Sequence, residues 1–129
     1  MSKIKETSTN FANKQALTDE CSEVYAVNVI GGQWALAICS WLINGKLRFG
    51  ELKRLLPNIT ERMLTLQLRK LEENKIVKRT IYAEIPPRVE YELTPIGNEL
   101  KPVIKELENW GEKHKKLSNK VILLDESID

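Results

Sequence analysis

A chain of 129 residues with 42% hydrophobic and 29% charged residues is long enough for one hydrophobic core and short for two, so a single domain is expected. The formal net charge of +2 hides an uneven distribution: between Lys46 and Arg88 eleven Lys/Arg stand against five Glu, a local +6 that leaves −4 for the rest. No apolar run approaches the roughly 20 residues of a membrane span, the lysine-bearing start has no apolar stretch behind it, and two cysteines make no disulfide framework, so a cytoplasmic, reducing compartment is expected and a membrane partner is not.

Residues 1–20 are polar and aperiodic and read as a flexible arm, ahead of a domain over 21–115 and a tail over 116–129. From Glu23, the residues Val24, Val27 and Ile30 recur at helical spacing until Gly31-Gly32, a turn that admits positive φ and lacks the spacing of a phosphate loop. "QWALAICSWLI" follows as an apolar core helix, ended by "NGK" at 44–46. "RFGELKRLLP" predicts a short amphipathic helix with Leu52, Leu55 and Leu56 inward, stopped by Pro57 because a residue before proline is pushed out of the α region.

After the turn "PNI", Thr60 is a good N-cap for a helix over about 61–73, with Glu61 at its positive end. At 100° per residue Leu64, Leu68 and Leu71 form one stripe, while Arg62, Leu66 and Arg69 face the other way with Thr65 beside them. Two helices joined by a tight turn make a helix-turn-helix. "IVKRTIYAE" and "RVEYEL" then alternate as two strands, with Val89, Tyr91 and Leu93 on one face and Glu90 and Glu92 on the other. Pro86-Pro87 between them cannot sit in a central ladder and reads as a stiffened hairpin tip.

Thr94-Pro95 opens the last helix as N-cap and N1. Its apolar residues Ile96, Leu100, Val103, Ile104, Leu107 and Trp110 exceed what one small domain can cover, which points to a partner helix, and Pro102 should kink it. Apolar Val121–Leu124 in the tail would dock or fray. The fold class is therefore mainly α with a small β-hairpin (α+β), a winged helix-turn-helix dimerising through its terminal helices.

"CSEVYAVNVIGGQWAL", "FGELKRLLPNITERMLTLQLRKLEENKIVKR" and "YAEIPPRVEYELTPIG" together resemble the opening, the helix-turn-helix and the wing of the HxlR family of bacterial and archaeal transcription regulators. The resemblance runs from about Cys21 to Trp110, and its most specific run is Ile-Pro-Pro-Arg-Val-Glu-Tyr. It implies sequence-specific binding of a pseudo-palindromic double-stranded DNA operator by a homodimer. The helix over 61–73 would lie in the major groove and the wing, about 76–93, on the backbone or minor groove, with Arg88 held against the duplex by the stiff tip.

DNA contact is accordingly expected from Thr60, Arg62, Thr65, Leu66, Arg69, Lys78, Arg79 and Arg88, and the dimer interface from Val24, Val27, Val103, Leu107 and Trp110. Leu66 departs from the polar residues common at that position; it can touch a thymine methyl but reads no hydrogen-bond pattern. A solvated charged face is the alternative for the basic helix, and a protein–protein winged-helix module without specific DNA binding the alternative for the whole, although such a module would not need the local +6. Glu84, Glu90 and Glu92 oppose phosphate and should lie at the wing base or pair with Lys78 and Arg79.

Catalysis finds no footing. The single histidine, His114, is far in sequence from both cysteines, and no spacing suggests a metal, a cofactor or a nucleophile with its base. Cys39, inside an apolar helix, reads as a buried small hydrophobe. Cys21 stands just before the first helix, where free N–H groups and the dipole favour a thiolate. The resemblance adds oxidant or electrophile sensing at Cys21, and an alternative small-molecule effector would sit between subunits where the second and last helices meet.

Overall fold

A computed structural model describes residue 16 and residues 20–128, with side chains through residue 119. The expected N-terminal arm lies, but for residues 16 and 20, outside the described residues. Helix α1 (Ser22–Ile30) closes on Gly31, whose φ of 86° lets its N–H bond the Val27 carbonyl at 3.0 Å. Gly32 follows at φ 115°, and α2 (Gln33–Leu42) leaves at 81° to α1. The two glycines thus form the corner that the sequence required of them.

A two-residue strand β1 (Leu47–Arg48) leads into α3 (Phe49–Leu55), where the Arg48 N–H donates to the Glu51 carboxylate at 2.9 Å. Pro57 and Asn58, the latter at φ 70°, turn the chain into α4 (Glu61–Glu73). Strands β2 (Val77–Tyr82) and β3 (Arg88–Leu93) form an antiparallel hairpin in which Val77 faces Leu93 and Tyr82 faces Arg88. β1 adds to the other edge of β3, Leu47 opposite Tyr91, so the expected hairpin is the larger part of a three-stranded sheet ordered β1-β3-β2.

The end of the chain corrects the expected single kinked helix. Thr94 does cap, its hydroxyl accepting from the Gly97 N–H at 3.1 Å and donating to the Lys75 carbonyl at 2.6 Å. The helix it opens, α5 (Pro95–Asn98), stops after four residues, and α6 (Leu100–Ile128) begins beyond Glu99. Pro102 explains the break: it has no N–H for the Asn98 carbonyl and its ring crowds that oxygen, so it sits instead in the first turn of a new helix, where no donor is needed. The segment from 116, expected as a tail, continues α6.

One core joins these elements. Ile38 and Cys39 of α2, Leu52 of α3, Leu64, Leu68 and Leu71 of α4, and Val77 of β2 are all at most 2% exposed. Leu56 is buried just past the end of α3, whereas Leu55 is only half-buried. Gly97 is buried under the sheet, and a Cβ there would collide with the Ile76 carbonyl oxygen. No single helix among the described residues is long and apolar enough to cross a membrane. Helix-turn-helix followed by a wing is the architecture.

Candidate nucleic-acid interface

The Thr60 hydroxyl accepts from the Met63 N–H at 3.0 Å and fixes where α4 begins. The register this sets puts Leu64, Leu68 and Leu71 in the core and turns Arg62, Leu66 and Arg69 to solvent, with Thr65 half-buried between them. Glu61, Arg62, Thr65, Leu66 and Arg69 line one shallow concavity of about 450 Å³ along this face. Neither Arg62 nor Arg69 has an ion-pair partner among the described residues. Both guanidinium groups therefore stand exposed on a helix surface with no ion pair among the described residues.

The base of the wing adjoins that face. Burial pushes the Tyr91 phenol up, and Arg79 and Arg69 pull it the other way, so both guanidinium groups lie within Coulombic reach of one ring. Arg79 pairs with Glu72 of α4 at 3.6 Å, while Lys78, on the opposite face of β2, is exposed and without an ion pair among the described residues. Of the two expected outcomes for the wing glutamates, the base of the wing or pairing with Lys78 and Arg79, the pairing is not seen among the described residues: Glu92 faces Lys78 in the register without an ion pair, Arg79 is turned to α4, and Glu84 and Glu90 pair with other cations.

Those cations are Arg88 and Lys46. Arg88 Nη2 lies 3.3 Å from Glu84, its Nε lies 3.4 Å from Glu90, and its guanidinium carbon sits 4.0 Å from the centre of the Tyr82 ring. Lys46, ahead of β1, reaches Glu90 at 3.6 Å, and its ammonium pKa is pushed up by Tyr82 first and Glu90 second. Arg88, expected to be held against the duplex, is turned back onto its own hairpin and keeps a partly exposed guanidinium. The reason is the register: the residue opposite Arg88 is an aromatic ring, and two carboxylates flank it.

At the other end of the molecule the apolar stripe of the last helices divides. Leu100 and Ile104 pack on the core, whereas Ile96, Val103, Leu107 and Trp110 are exposed. Pro102, Val103, Glu106, Leu107 and Trp110 border an open apolar concavity of about 570 Å³, and the Trp110 ring stacks on His114 with centroids 5.1 Å apart. On α1 Val24 is half-buried and Val27 is 67% exposed.

Cys21 is the N-cap of α1, partly exposed, and its thiol donates to the Glu23 carboxylate, which holds that carboxyl below its usual range. Cys39 is fully buried and desolvation pushes its thiol up to about 11. Among the described residues no three His, Cys, Asp or Glu side chains converge as metal ligands would.

The model of the HxlR-like helix-turn-helix family matches residues 29–119, which include the whole helix-turn-helix, the wing and the start of α6. The chain belongs to the HxlR-like helix-turn-helix family. Its similarity to the HTH-type transcriptional regulator YdeP of Bacillus subtilis is 47% identity over 95 residues, 74% of each chain. To YybR of the same organism, also an HTH-type transcriptional regulator, it is 41% over 112 residues, 87% of this chain and 86% of the other. Among solved structures the redox regulator HypR in its reduced form superposes with a TM-score of 0.70 at 44% identity, covering 74% of this chain and 95% of that one. The HxlR-like proteins named here are regulators rather than enzymes.

Sequence reasoning missed the brace of Tyr82, Glu84, Arg88, Glu90 and Lys46. Part of it was within reach. Centring the hairpin on Ile85 pairs Tyr82 with Arg88 at once, and a tyrosine opposite an arginine is a recognised cross-strand contact.

Proposed function

We propose that this HxlR-like regulator binds a pseudo-palindromic duplex operator as a homodimer, with α4 in the major groove and the wing on the flanking backbone or minor groove. The observation that carries this reading is the outward face of α4, where Arg62 and Arg69 are exposed and without an ion pair among the described residues, beside Thr65 and Leu66. An arginine in that setting can present its planar fork to guanine O6 and N7 or to a phosphate, and Leu66 can cover a thymine methyl. Thr60 adds a hydroxyl and Lys78 and Arg79 positive charge toward the sugar–phosphate backbone, which fixes register without reading sequence. Arg88 acts one step back, shaping the wing.

The exposed Val103, Leu107 and Trp110 of α6, with Val24 and Val27 of α1, supply the dimer interface in this reading, because so large an apolar strip on a monomer calls for a partner and buried aromatics dominate such contacts. The two α4 helices would then sit about 34–36 Å apart and enter successive major grooves on one side of the duplex. Such a regulator works in the cytoplasm, beside the DNA. Selection of duplexes from a random pool by the full chain, followed by sedimentation of the chain alone and on the selected DNA, tests the whole. A two-fold symmetric consensus bound by two chains is the expected outcome; a monomer holding a single half-site, or no enrichment of any sequence, would contradict it.

An oxidant or electrophile response, if the regulator has one, falls to Cys21. Cys39 has no access and its raised pKa keeps it a thiol, whereas Cys21 is reachable at a helix N-terminus. Similarity to HypR, named a redox regulator, supports this reading. Titrating DNA binding with diamide should weaken the wild type and leave Cys21→Ser unaffected; equal responses would make Cys21 structural.

A further inference from the structure

We propose that the wing tip is an apolar wedge, centred on Ile85, that enters the minor groove of the operator and partly opens a base step. The inference rests on the DNA-binding reading above and concerns what the wing does once the regulator is on the duplex.

Residues 83–87 connect β2 to β3 and every one of them is exposed. Ile85 is 103% exposed, more than any other large apolar side chain among the described residues. Single surface hydrophobics are ordinary, but this one stands at the end of a braced hairpin and is covered by none of the described residues. The only charge in the tip, Glu84, is paired with Arg88 at 3.3 Å, and the tip carries no cation of its own. What it offers is Ala83, Ile85, Pro86 and Pro87.

Stiffness makes that surface usable. Proline fixes φ and has no N–H to be stripped of water, so two in succession lower both the ordering and the desolvation cost of insertion. Beneath them the Arg88 guanidinium lies on Tyr82 and between Glu84 and Glu90, with Lys46 on the far side of Glu90, so the tip is carried on a network that ties β1, β2 and β3 together. Elsewhere on the domain Arg62 and Arg69 of α4 and Lys78 of β2, without ion pairs among the described residues, suit phosphates, which favours DNA over a protein as the thing the tip meets. Apolar wedges of Ile, Leu, Phe or Pro are how proteins enter a minor groove, unstack a step and bend the duplex toward the major groove. Specificity would then arise at flexible pyrimidine–purine steps that the wing never reads by hydrogen bond.

The test uses the full chain on the duplex it selects, labelled at both ends so that energy transfer reports bending. Ile85→Ser should bind about tenfold more weakly or worse, from the loss of a buried Ile side chain, and should bend the duplex less. Its salt dependence should match that of the wild type, since no cation is removed. Ile85→Lys should not restore the bend. Thermal unfolding of both variants at the wild-type midpoint confirms that only the tip has changed. Ile85→Ser binding and bending as the wild type does would overturn the wedge, as would tighter binding by Ile85→Lys, which would lay the tip along phosphates. A change in self-association of Ile85→Ser without DNA, with binding and bending unaltered, would overturn it in favour of a protein contact. Failure of the wild-type chain to select any duplex would instead remove the DNA-binding reading, and the wedge with it.

Discussion

Two arginine-bearing surfaces, α4 and the wing, use the same side chain in opposite ways. On α4, Arg62 and Arg69 are exposed and have no ion pair among the described residues; in the wing, Arg88 is held by two carboxylates and a ring, and Arg79 by Glu72. The difference follows from local geometry. Glu61, Glu72 and Glu73 share α4 with Arg62 and Arg69, but none of them forms an ion pair with either among the described residues, whereas the hairpin sets Glu84, Tyr82 and Glu90 around position 88.

The largest effect should come from removing what both surfaces stand on. Leu68 is 2% exposed beneath the α4 face, and Leu68→Ala should cost about 2–5 kcal/mol of stability, read as a lower urea midpoint at unchanged slope. DNA binding would fall only as far as the folded population does, which separates support from contact. Next come the contacts themselves. Arg62→Ala or Arg69→Ala should weaken operator binding by about 1–3 kcal/mol if the contact is to a base edge, while leaving stability within about 0.5 kcal/mol. Fluorescence anisotropy and urea titration on the same preparation check both halves of that statement.

Arg88→Ala should show the reverse balance. Its pairs with Glu84 and Glu90 are only partly shielded from water, so the expected loss of stability is about 1 kcal/mol or less. Binding should weaken through a looser wing. If Arg88→Ala instead left stability untouched while weakening binding as much as Arg69→Ala, the two surfaces would not differ in the way described.

Most of the fold was legible because it rests on patterns with a long enough period. The spacing of Leu64, Leu68 and Leu71, the Thr60 cap, the turn at Gly31-Gly32 and the alternation of Val89, Tyr91 and Leu93 each carry several residues of signal. β1 carries two residues, too few for any period, and belongs to the sheet only because Tyr91 and Glu90 are there to pair with. The break at Glu99 was half legible: Pro102 announced a fault, but whether a proline kinks one helix or starts a second depends on the packing of Gly97 against Ile76. For the candidate interface, the helix face could be read from its own residues. The direction of Arg88 was legible only in part: its pairing with Tyr82 follows once the hairpin is centred on Ile85, but the arrival of Lys46 at Glu90 depends on β1 joining the sheet.

The most direct test of the central claim is the salt dependence of operator binding for the wild type, for Arg62→Ala and Arg69→Ala, and for Arg88→Ala. If either α4 arginine meets a phosphate, its loss should flatten the plot of log affinity against log salt by about 0.9 per contact, whereas Arg88→Ala should shift the line down and keep its slope. A slope lowered by Arg88→Ala, with affinity and slope both untouched by Arg62→Ala and Arg69→Ala, would contradict the account.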